Sequence, residues 1–246
     1  MQRYFVNEKQ IQNNVITIDE LDSHHIKTVM RMRENEKVLV CLNNESVSHT
    51  YLCKIISLSK NVLLEIIEEL NENNELDFNV TIAHGLVKRD KQEEVVRRLV
   101  ELGAYAYIPV IMQRSVIKID LSKRKFSNER FERIVKEASE QSERNKLMKL
   151  MDIHSFNELI KAFENYDLVL FASVASKDDL TLKEKISKFK AKNILVIIGP
   201  EGGFSEKEIE MIENTKAETI SFGKRVLRTE TAPLYAMSVL SYLGEK

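Results

Sequence analysis

The apolar pattern of this chain changes at a polar stretch, residues 71–77, and this change constrains the fold more than any other feature. Before it, apolar residues come in short β-rich runs. After it, β-rich runs alternate with segments of helical periodicity. Residues 71–77 have no apolar pattern of their own, which is typical of a linker. We therefore predict a small domain over residues 1–70, a linker over 71–77 and a larger domain over 78–246.

The first domain is predicted to consist mainly of short strands. Runs with strand character occupy residues 3–6, 15–18, 37–42, 50–56 and 62–67. One helix is predicted over residues 20–31, where His25, Val29 and Met32 recur at helical spacing. So many short strands around one core favour a small β-barrel or sandwich.

The second domain is predicted to alternate strands with helices. Strands are predicted at residues 79–86, 106–111, 167–173, 193–198 and 218–222. Helices are predicted at residues 88–102, 128–144, 181–189, 205–214 and 230–243. This alternation favours a mostly parallel sheet with helices on both faces, an α/β fold. The continuous apolar run at residues 194–198 is typical of a central strand.

Charge and cysteine content limit the possible functions. The chain has 37 basic and 38 acidic residues, so its net field cannot steer it onto a polyanion, and nucleic-acid binding requires local basic patches. Cys41 and Cys53 lie in strand-like runs, and we interpret both as small buried apolar groups, which fits a reducing cytoplasm. Neither a signal-peptide pattern nor an apolar run near the ~20 residues of a membrane span is present. We expect a soluble cytoplasmic protein without a membrane partner.

Glycine and proline are concentrated in one part of the second domain. Four of the seven glycines and two of the three prolines lie between residues 199 and 233. Glycine permits positive φ and close backbone approach, so this concentration indicates a binding site. The first part, the glycine turn (residues 199–205, GPEGGFS), follows the predicted central strand and precedes a helix that Ser205 and Glu208 would cap. In open α/β sheets, ligands bind beyond the carboxyl ends of the strands, where this turn lies.

The glycine turn does not match the common phosphate-binding motifs. It lacks both the Gly-Lys-Ser/Thr of a Walker loop and the GxGxxG of a dinucleotide site. Glu201 would also repel a phosphate, so a cationic or zwitterionic ligand suits the turn better. The alternative interpretation is a strand-to-helix turn that merely needs glycine.

A second segment, the arginine turn (residues 221–232, SFGKRVLRTETA), also follows a predicted strand and enters a helix, which Thr229 is predicted to cap. Arg225 and Arg228 are hard to explain by packing on so tight a turn, although a solvated charged turn is the alternative. Since both turns follow strands of one predicted sheet, a shared ligand explains them most simply.

With these turns, the sequence resembles a known family. IGPEGGFSEKEI (198–209) followed by FGKRVLRTETA (222–232) resembles the RsmE family of 16S ribosomal RNA uridine-N3 methyltransferases, in the SPOUT superfamily. RYFV (3–6), HHIKTVMRMRENEKVLV (24–40), KRDKQEEVVRRLVELGAYAYIPVIMQRSVIK (88–118) and ERFERIVKEASEQSER (129–144) resemble further segments of that family. The likeness covers nearly the whole chain in order. Two departures are Asn145, where the family usually carries proline, and Val100, where it usually carries threonine.

The resemblance implies an N-terminal PUA-like RNA-binding β-barrel and a C-terminal SPOUT methyltransferase domain with a trefoil knot. It further implies S-adenosylmethionine as cofactor, 16S ribosomal RNA of the small ribosomal subunit as partner, and a homodimer formed through the last helix and the knot. The cofactor-binding residues that it implies are Ala172, Ser173, Ile198, Gly199, Pro200, Glu201, Gly202, Gly203, Phe222, Gly223, Val226, Leu227, Arg228, Thr231 and Ala232.

Methyl transfer to uridine N3 requires loss of the N3 proton, and negative charge then spreads onto O2 and O4. Arg225 and Arg228 are our candidates to stabilise that charge, and Glu201 is the candidate proton acceptor; alternatively, Glu201 binds the cofactor amine or caps a helix. No metal is predicted, because the adjacent His24 and His25 point apart on a helix and the other histidines are scattered. The candidate RNA-binding residues are Arg3, Arg31, Arg33, Arg114, Lys123, Arg124 and Lys125.

Two other functions stay open at the level of sequence. Other SPOUT enzymes methylate a ribose 2′-hydroxyl, and an RNA-binding ribosome assembly factor could keep the fold without catalysis. Product analysis separates the first from base methylation, and binding of S-adenosylmethionine argues against the second.

Overall fold

The computed structural model describes residues 1–43, 49–117, 119, 124–172 and 191–244. The chain divides into two compact units, one formed by Met1–Glu75 with Ser139–Leu147 and the other by Leu76–Ala138 with Met148–Lys246. The predicted domain boundaries do not include the return of residues 139–147 to the first unit, since this return depends on contacts between residues far apart in the chain.

The first unit contains a six-stranded sheet with the order β1-β4-β5-β6-β3-β2. Its strands are β1 (Arg3–Val6), β2 (Ile11–Gln12), β3 (Val15–Thr17), β4 (Lys37–Leu42), β5 (Thr50–Ser57) and β6 (Leu63–Leu70). β1 is parallel to β4, and the other neighbours are antiparallel. The register of β5 with β6 shifts twice, and such irregularities bend a sheet. The five predicted strands are present, and the expected small barrel takes the form of a curled sheet.

The predicted helix of the first unit is shorter and less regular than its sequence pattern. α1 (Glu20–His24) begins after Asp19, whose side chain accepts a hydrogen bond from the N–H of Asp22 at 2.8 Å. The chain continues as a π-helical turn, His25–Val29, and ends before the predicted residue 31. Ile26 lies on the buried side of this turn and joins the aliphatic core under the sheet.

Both cysteines are buried in the first unit, as predicted. Cys41 and Cys53 are 0% exposed and are free thiols. Burial raises the pKa of the Cys53 thiol to about 12, because the thiolate would lose its hydration. Both side chains therefore act as small packing groups.

A cluster of hydrogen bonds ties residues 144–146 into the first unit. The carboxylate of Glu75 accepts a hydrogen bond from Arg144 Nη2 at 2.6 Å and from the backbone N–H groups of Asn145 and Lys146 at 2.9 and 3.0 Å. The Asn145 side chain donates to Thr50 Oγ1 at 2.8 Å. Proline, which the related family usually carries here, has no N–H to give Glu75 and no polar side chain, so the asparagine makes hydrogen bonds to Glu75, Thr50 and the N–H of Asn74 that proline could not make.

The second unit contains a seven-stranded sheet in which every neighbouring pair is parallel, as predicted. The strand order is β10-β8-β7-β12-β11-β13, and β9 pairs with β8. The strands are β7 (Asn79–Gly85), β8 (Ala106–Ile111), β9 (Lys149–Leu150), β10 (His154–Ser155), β11 (Leu168–Ala172), β12 (Asn193–Ile198) and β13 (Glu218–Ile220). β12 lies between two strands and is buried from Ile194 to Ile198, which confirms the predicted central strand. The short strands β9 and β10 were not predicted.

Helices connect these strands. They are α2 (Arg89–Glu101), α3 (Glu129–Gln141), α4 (Phe156–Ala162), α5 (Glu206–Glu213) and α6 (Ala232–Gly244). α4 was not predicted, although Ser155 and Glu158 form a capping box at its start. The predicted helix over residues 181–189 lies outside the described residues. The chain between β11 and β12 includes residues 173–190, which are not described, so the implied trefoil knot stays a prediction.

Candidate functional site

The two turns singled out in the sequence lie at the same edge of the second sheet. Strands β12, β11 and β13 are neighbours in that order, and all three are parallel. Their carboxyl ends are Ile198, Ala172 and Ile220. The glycine turn leaves β12 and the arginine turn leaves β13, on either side of the end of β11. This edge is the expected ligand site of an open α/β sheet.

The glycine turn is a tight backbone turn closed by a helix cap. The N–H of Gly203 donates to the carbonyl of Pro200 at 2.8 Å, and Gly203 has φ of +67°, which favours glycine. Ser205 and Glu208 form the predicted capping box at the start of α5, with the Ser205 N–H 2.8 Å from Glu208 Oε2. The turn therefore presents backbone to the space beside it.

The arginine turn also contains a glycine with positive φ, since Gly223 has φ of +93°. Its end is fixed by the carbonyl of Arg228, which accepts hydrogen bonds from the N–H groups of Thr231 and Ala232 at 2.9 Å each. The ring of Phe222 packs on Tyr235 of α6, with 5.3 Å between ring centroids. The turn thus lies against the last helix.

The two turns line one cavity of about 1360 Å³. The sequence-predicted residues that line it are Ala172, Ile198, Gly199, Pro200, Glu201, Gly202, Gly203, Phe222, Gly223, Arg225, Val226, Leu227, Arg228 and Ala232. Thr231 is exposed at the start of α6 and is not among the lining residues, and Ser173 lies outside the described residues. The structure brings the predicted residues together, while their roles stay predictions.

A lysine that the sequence analysis missed joins the two turns. Lys91, near the start of α2, lines the cavity, and its Nζ lies 3.5 Å from Glu201 Oε1 and 3.4 Å from Glu230 Oε1. The ammonium thus pairs with one carboxylate from each turn. Lys91 is more than 100 residues away in sequence from Glu201 and Glu230, so no local motif indicated that these three side chains would meet.

Thr229 does not have the predicted role of a helix cap. Its hydroxyl donates to the carbonyl of Gly199 at 2.7 Å, and its oxygen lies 2.9 Å from Nε2 of His84. Nδ1 of His84 lies 3.1 Å from the hydroxyl of Tyr107, which also receives a hydrogen bond from the side chain of Gln92 at 3.2 Å. A buried series of polar groups therefore reaches the cavity from beneath. Apart from Thr229, none of them was a candidate in the sequence analysis.

Burial determines the charge state of this histidine. His84 is 0% exposed, and burial lowers its pKa to about 4, while a hydrogen bond to the backbone of Thr229 and the charge of Glu230 act in the opposite direction. Burial also raises the pKa of Tyr107, so both rings are neutral near pH 7.

The assignment of Arg3 as an RNA-binding residue is wrong. Arg3 is 2% exposed, because its guanidinium is paired with Glu72 and donates to the carbonyl of Arg144 at 3.1 Å inside the first unit. A buried and paired cation cannot reach a phosphate. The strand pattern placed Arg3 correctly in β1 but gave no sign that it faces inward.

The other described candidates are exposed. Arg31, Arg33 and Lys125 are exposed, and Arg124 is exposed while paired with Glu158. Arg114 is also exposed and lines the cavity, and its Nη1 donates to the carbonyl of Gly202 at 3.3 Å. Lys123 lies outside the described residues. These side chains remain candidates for RNA contacts.

Within the described parts of the chain, no cluster of three or more histidine, cysteine or acidic side chains is arranged to hold a metal ion. None of the helices described is both long enough and apolar enough to cross a membrane.

Two family matches extend this picture. Residues 74–241 match the family described as RNA methyltransferase domain, and residues 18–67 match the family described as RNA methyltransferase PUA domain. The parallel sheet with its cavity and the curled N-terminal sheet correspond to these two parts. The fold and the site thus define an RNA methyltransferase with an N-terminal PUA-like domain.

Relatives narrow the class further. Ribosomal RNA small subunit methyltransferase E of Bacillus subtilis (strain 168) is 39% identical over 257 residues, covering 100% of this chain and 98% of the relative. The chain therefore belongs to the ribosomal RNA small subunit methyltransferase E family, which confirms the resemblance seen in the sequence.

Two solved structures with this fold were determined with the cofactor bound. A putative methyltransferase of Legionella pneumophila in complex with S-adenosylmethionine has a TM-score of 0.84 at 26% identity, covering 98% of this chain and 97% of that chain. Ribosomal RNA small subunit methyltransferase E of Neisseria gonorrhoeae, bound to S-adenosylmethionine, has a TM-score of 0.81 at 25% identity, covering 99% and 98% respectively.

Proposed function

We propose that this protein transfers a methyl group from S-adenosylmethionine to N3 of a specific uridine in 16S ribosomal RNA of the small ribosomal subunit. The observation that carries the proposal is that the glycine turn and the arginine turn line one cavity in a chain whose relatives hold this cofactor. A ribosomal RNA substrate also supports the cytoplasm as the site of action.

The residues around the cavity suit S-adenosylmethionine. At Gly203 and Gly223 a Cβ atom would have no neighbour within 4 Å, so both turns expose backbone to open space. Ile198 and Leu227 supply apolar surface for an adenine ring. The volume of about 1360 Å³ exceeds the ~300–1,000 Å³ of an ordinary small-molecule site, which leaves room for a nucleotide base.

When bound, S-adenosylmethionine supplies an electrophilic methyl group on a sulfonium that leaves as a neutral thioether. The protein must hold uridine N3 in line with that methyl group and manage the N3 proton. Positioning of this kind supplies roughly 7–11 kcal/mol in well-oriented reactions. The cavity walls, built from two turns that strands hold in place, are suited to that task.

Three polar side chains of the cavity are proposed to act on the base. Arg225 and Arg228 donate to O2 and O4 of the uracil as negative charge develops there. Glu201 accepts the N3 proton and, being exposed at the rim, passes it to solvent. Lys91, paired with Glu201, keeps the carboxylate oriented towards the cavity.

Methyl transfer to small-subunit particles tests the proposed reaction. Particles from a strain lacking this protein are incubated with tritiated S-adenosylmethionine, and the labelled nucleoside is identified by mass spectrometry. We expect N3-methyluridine. A 2′-O-methylated nucleoside would replace the base assignment with ribose methylation. Absence of cofactor binding in calorimetry would leave the assembly-factor function.

Alanine variants test the arginines. Arg225→Ala and Arg228→Ala should each lower kcat by about 10²–10³, the usual effect of losing one donor to a developing oxyanion. Arg133→Ala is a matched control, because Arg133 is exposed on α3 and does not line the cavity. Full turnover with normal cofactor affinity in both variants would refute the assignment.

RNA contacts are proposed for the exposed candidates, Arg31, Arg33, Arg114, Arg124 and Lys125, together with Lys123. Each phosphate contact should contribute about 0.9 log units of affinity per log unit of salt on a duplex and about 0.7 on a single strand. A salt titration of RNA binding with single alanine variants measures which of these cations contribute.

We also propose that the protein is a homodimer formed through α6. Tyr235 and Tyr242 are seven residues apart on one face of this helix, and their side chains are 40% and 78% exposed. Val226 of the arginine turn is 73% exposed as well. Large exposed apolar side chains that share a helix face support a protein interface.

A further inference from the structure

The buried polar groups beneath the cavity form a series of hydrogen bonds in which each group donates to the next. It starts at Gln92 in α2 and runs through Tyr107 of β8, His84 of β7 and Thr229 to the carbonyl of Gly199. The four side chains are between 0% and 8% exposed. Thr229 lines the cavity, whereas the other three side chains lie beneath it and depend on their protein partners for hydrogen bonds.

The carbonyl of Gly199, at one end of the series, determines the direction of every hydrogen bond in it. A carbonyl can only accept, so the hydroxyl of Thr229 must donate to Gly199. The Thr229 oxygen then accepts from His84, which must carry its proton on Nε2. Nδ1 of His84 is left as an acceptor for the hydroxyl of Tyr107, whose oxygen accepts from Gln92. Only neutral His84 in the Nε2–H form satisfies all of these groups.

This series connects the two turns that line the cavity. Gly199 is the first residue of the glycine turn, and Thr229 belongs to the arginine turn. His84 pairs with Ile198 in the sheet, directly before Gly199, so the ring lies beneath the start of the glycine turn. The hydrogen bond from Thr229 fixes the plane of the Gly199–Pro200 peptide, which glycine alone would leave loosely determined.

We propose that His84 is a positioning residue which, as the neutral Nε2–H tautomer, holds the glycine turn and the arginine turn at the separation that S-adenosylmethionine requires, acting through Thr229. This role rests on the proposed function, because it concerns the same cavity. His84 itself is not among the residues that line the cavity and acts through Thr229.

Protonation of His84 would disrupt the series. A second proton on Nδ1 would point at the Tyr107 oxygen, which already accepts from Gln92, and the tyrosine proton would then lose its acceptor. Tyr107 and Glu230 are the titratable groups that act on this ring: Tyr107 is neutral near pH 7 because burial raises its pKa, and the charge of Glu230 raises the pKa of His84. Burial, which lowers the pKa of His84 to about 4, agrees with a neutral ring.

Nitrogen-15 spectroscopy of the histidine rings in the full-length, cofactor-free protein tests the tautomer. The chain has five histidines, and the His84 signals are those missing from His84→Gln. We expect a single neutral ring with the proton on Nε2 between pH 7 and pH 5. A proton on Nδ1, or an imidazolium at pH 6, would overturn the hydrogen-bond directions and with them the proposal.

Two variants of Thr229 test the positioning role. Thr229→Val leaves Nε2–H of His84 and the carbonyl of Gly199 without a partner, so the affinity for S-adenosylmethionine in calorimetry should fall about tenfold or more. The KM for this cofactor should rise by a similar factor, while the KM for RNA changes little. Thr229→Ser keeps the hydroxyl and should restore the affinity. An unchanged affinity of a folded Thr229→Val protein would refute the role.

Tyrosine variants provide a second, independent measurement if Thr229→Val does not fold. Tyr107→Phe removes the donor to Nδ1 of His84 while Thr229 still accepts from Nε2–H, so the ring should keep the Nε2–H tautomer but lose one of its two anchors, and the affinity for S-adenosylmethionine should fall. Tyr105→Phe is the matched control, two residues away and outside the series. Unchanged affinity in a folded Tyr107→Phe protein would refute the proposal.

The outcomes separate this proposal from the proposed function. If the unmodified protein does not bind S-adenosylmethionine, the proposed function fails and the positioning role fails with it. If the unmodified protein binds the cofactor and Thr229→Val binds it equally well, only the positioning role fails.

Discussion

Replacing Gly85 with alanine should displace the glycine turn, although the substituted residue lies outside the cavity that this turn lines. Gly85 is the last residue of β7 and is not a lining residue. A Cβ atom at this position would lie 2.6 Å from the nitrogen of Pro200 and 2.7 Å from its Cδ. These atoms belong to backbone and ring, so the clash cannot be relieved by rotating a flexible side chain.

The size of the effect follows from these distances. Ordinary van der Waals contact begins at 3.4 Å, so Pro200 must move by the difference from 2.6 Å, about 0.8 Å. Overpacking of this kind costs about 1–3 kcal/mol of stability. If a cost of this size falls on the cofactor-binding form of the turn, the affinity for S-adenosylmethionine should fall about tenfold to a hundredfold, since about 1.4 kcal/mol corresponds to a factor of ten.

Calorimetry with S-adenosylmethionine measures the affinity, and urea unfolding measures the stability. Gly103→Ala is a matched control, because Gly103 has φ of +86° and a Cβ there would meet only Leu76, at 3.5 Å. Alanine at a positive φ costs about 1–2 kcal/mol, so the control loses a similar amount of stability and should keep its affinity. Normal cofactor affinity in Gly85→Ala would show that this contact does not determine the position of the glycine turn.

Two further predictions concern the dimer and the buried histidine. Tyr242→Arg should shift the protein from dimer to monomer in light scattering. Leu21→Arg is the control and should leave the dimer intact, because Leu21 is 77% exposed in the first unit and lies outside α6. A dimeric Tyr242→Arg protein would contradict the proposed interface. The pKa of His84, whose titratable neighbours are Tyr107 and Glu230, is lowered from 6.5 to about 4 on folding, so the unfolded chain takes up the proton first as pH falls. The stability contributed by neutral His84 should therefore be complete above pH 6.5 and decline towards pH 4. Urea unfolding measured over this pH range should show a smaller decline of the free energy of unfolding in His84→Gln. An equal decline in both proteins would contradict the assignment.

Sequence periodicity predicted five of the seven strands of the second sheet, because a buried strand has a continuous apolar sequence. The predicted bounds of β8 and β12 agree with the structure, since Ile194–Ile198 is apolar at every position and is buried on both faces. The capping box of Ser205 and Glu208 was equally visible, because both partners lie within one turn of helix. Local patterns of this kind do not depend on the rest of the fold.

Polar residues with distant partners could not be predicted. His84 and Thr229 are 145 residues apart, and neither carries a motif that names the other. Arg3 was a candidate for RNA binding, but its guanidinium pairs with Glu72 and with the carbonyl of Arg144 inside the first unit. Such errors arise where tertiary pairing overrides the usual preference of a residue type.

The glycine turn shows why a binding site could be predicted while its geometry could not. A turn with few side chains cannot position itself, so its neighbours must do so through its backbone. Gly85 packs behind Pro200, the hydroxyl of Thr229 holds the carbonyl of Gly199, and Arg114 lies so near Gly202 that a Cβ there would be 2.8 Å from the Cβ of Arg114. Each contact is made by a different segment, from β7, the arginine turn and the residues after β8. The glycines therefore mark the site in the sequence, and the shape of the site depends on contacts between segments that are distant in the sequence.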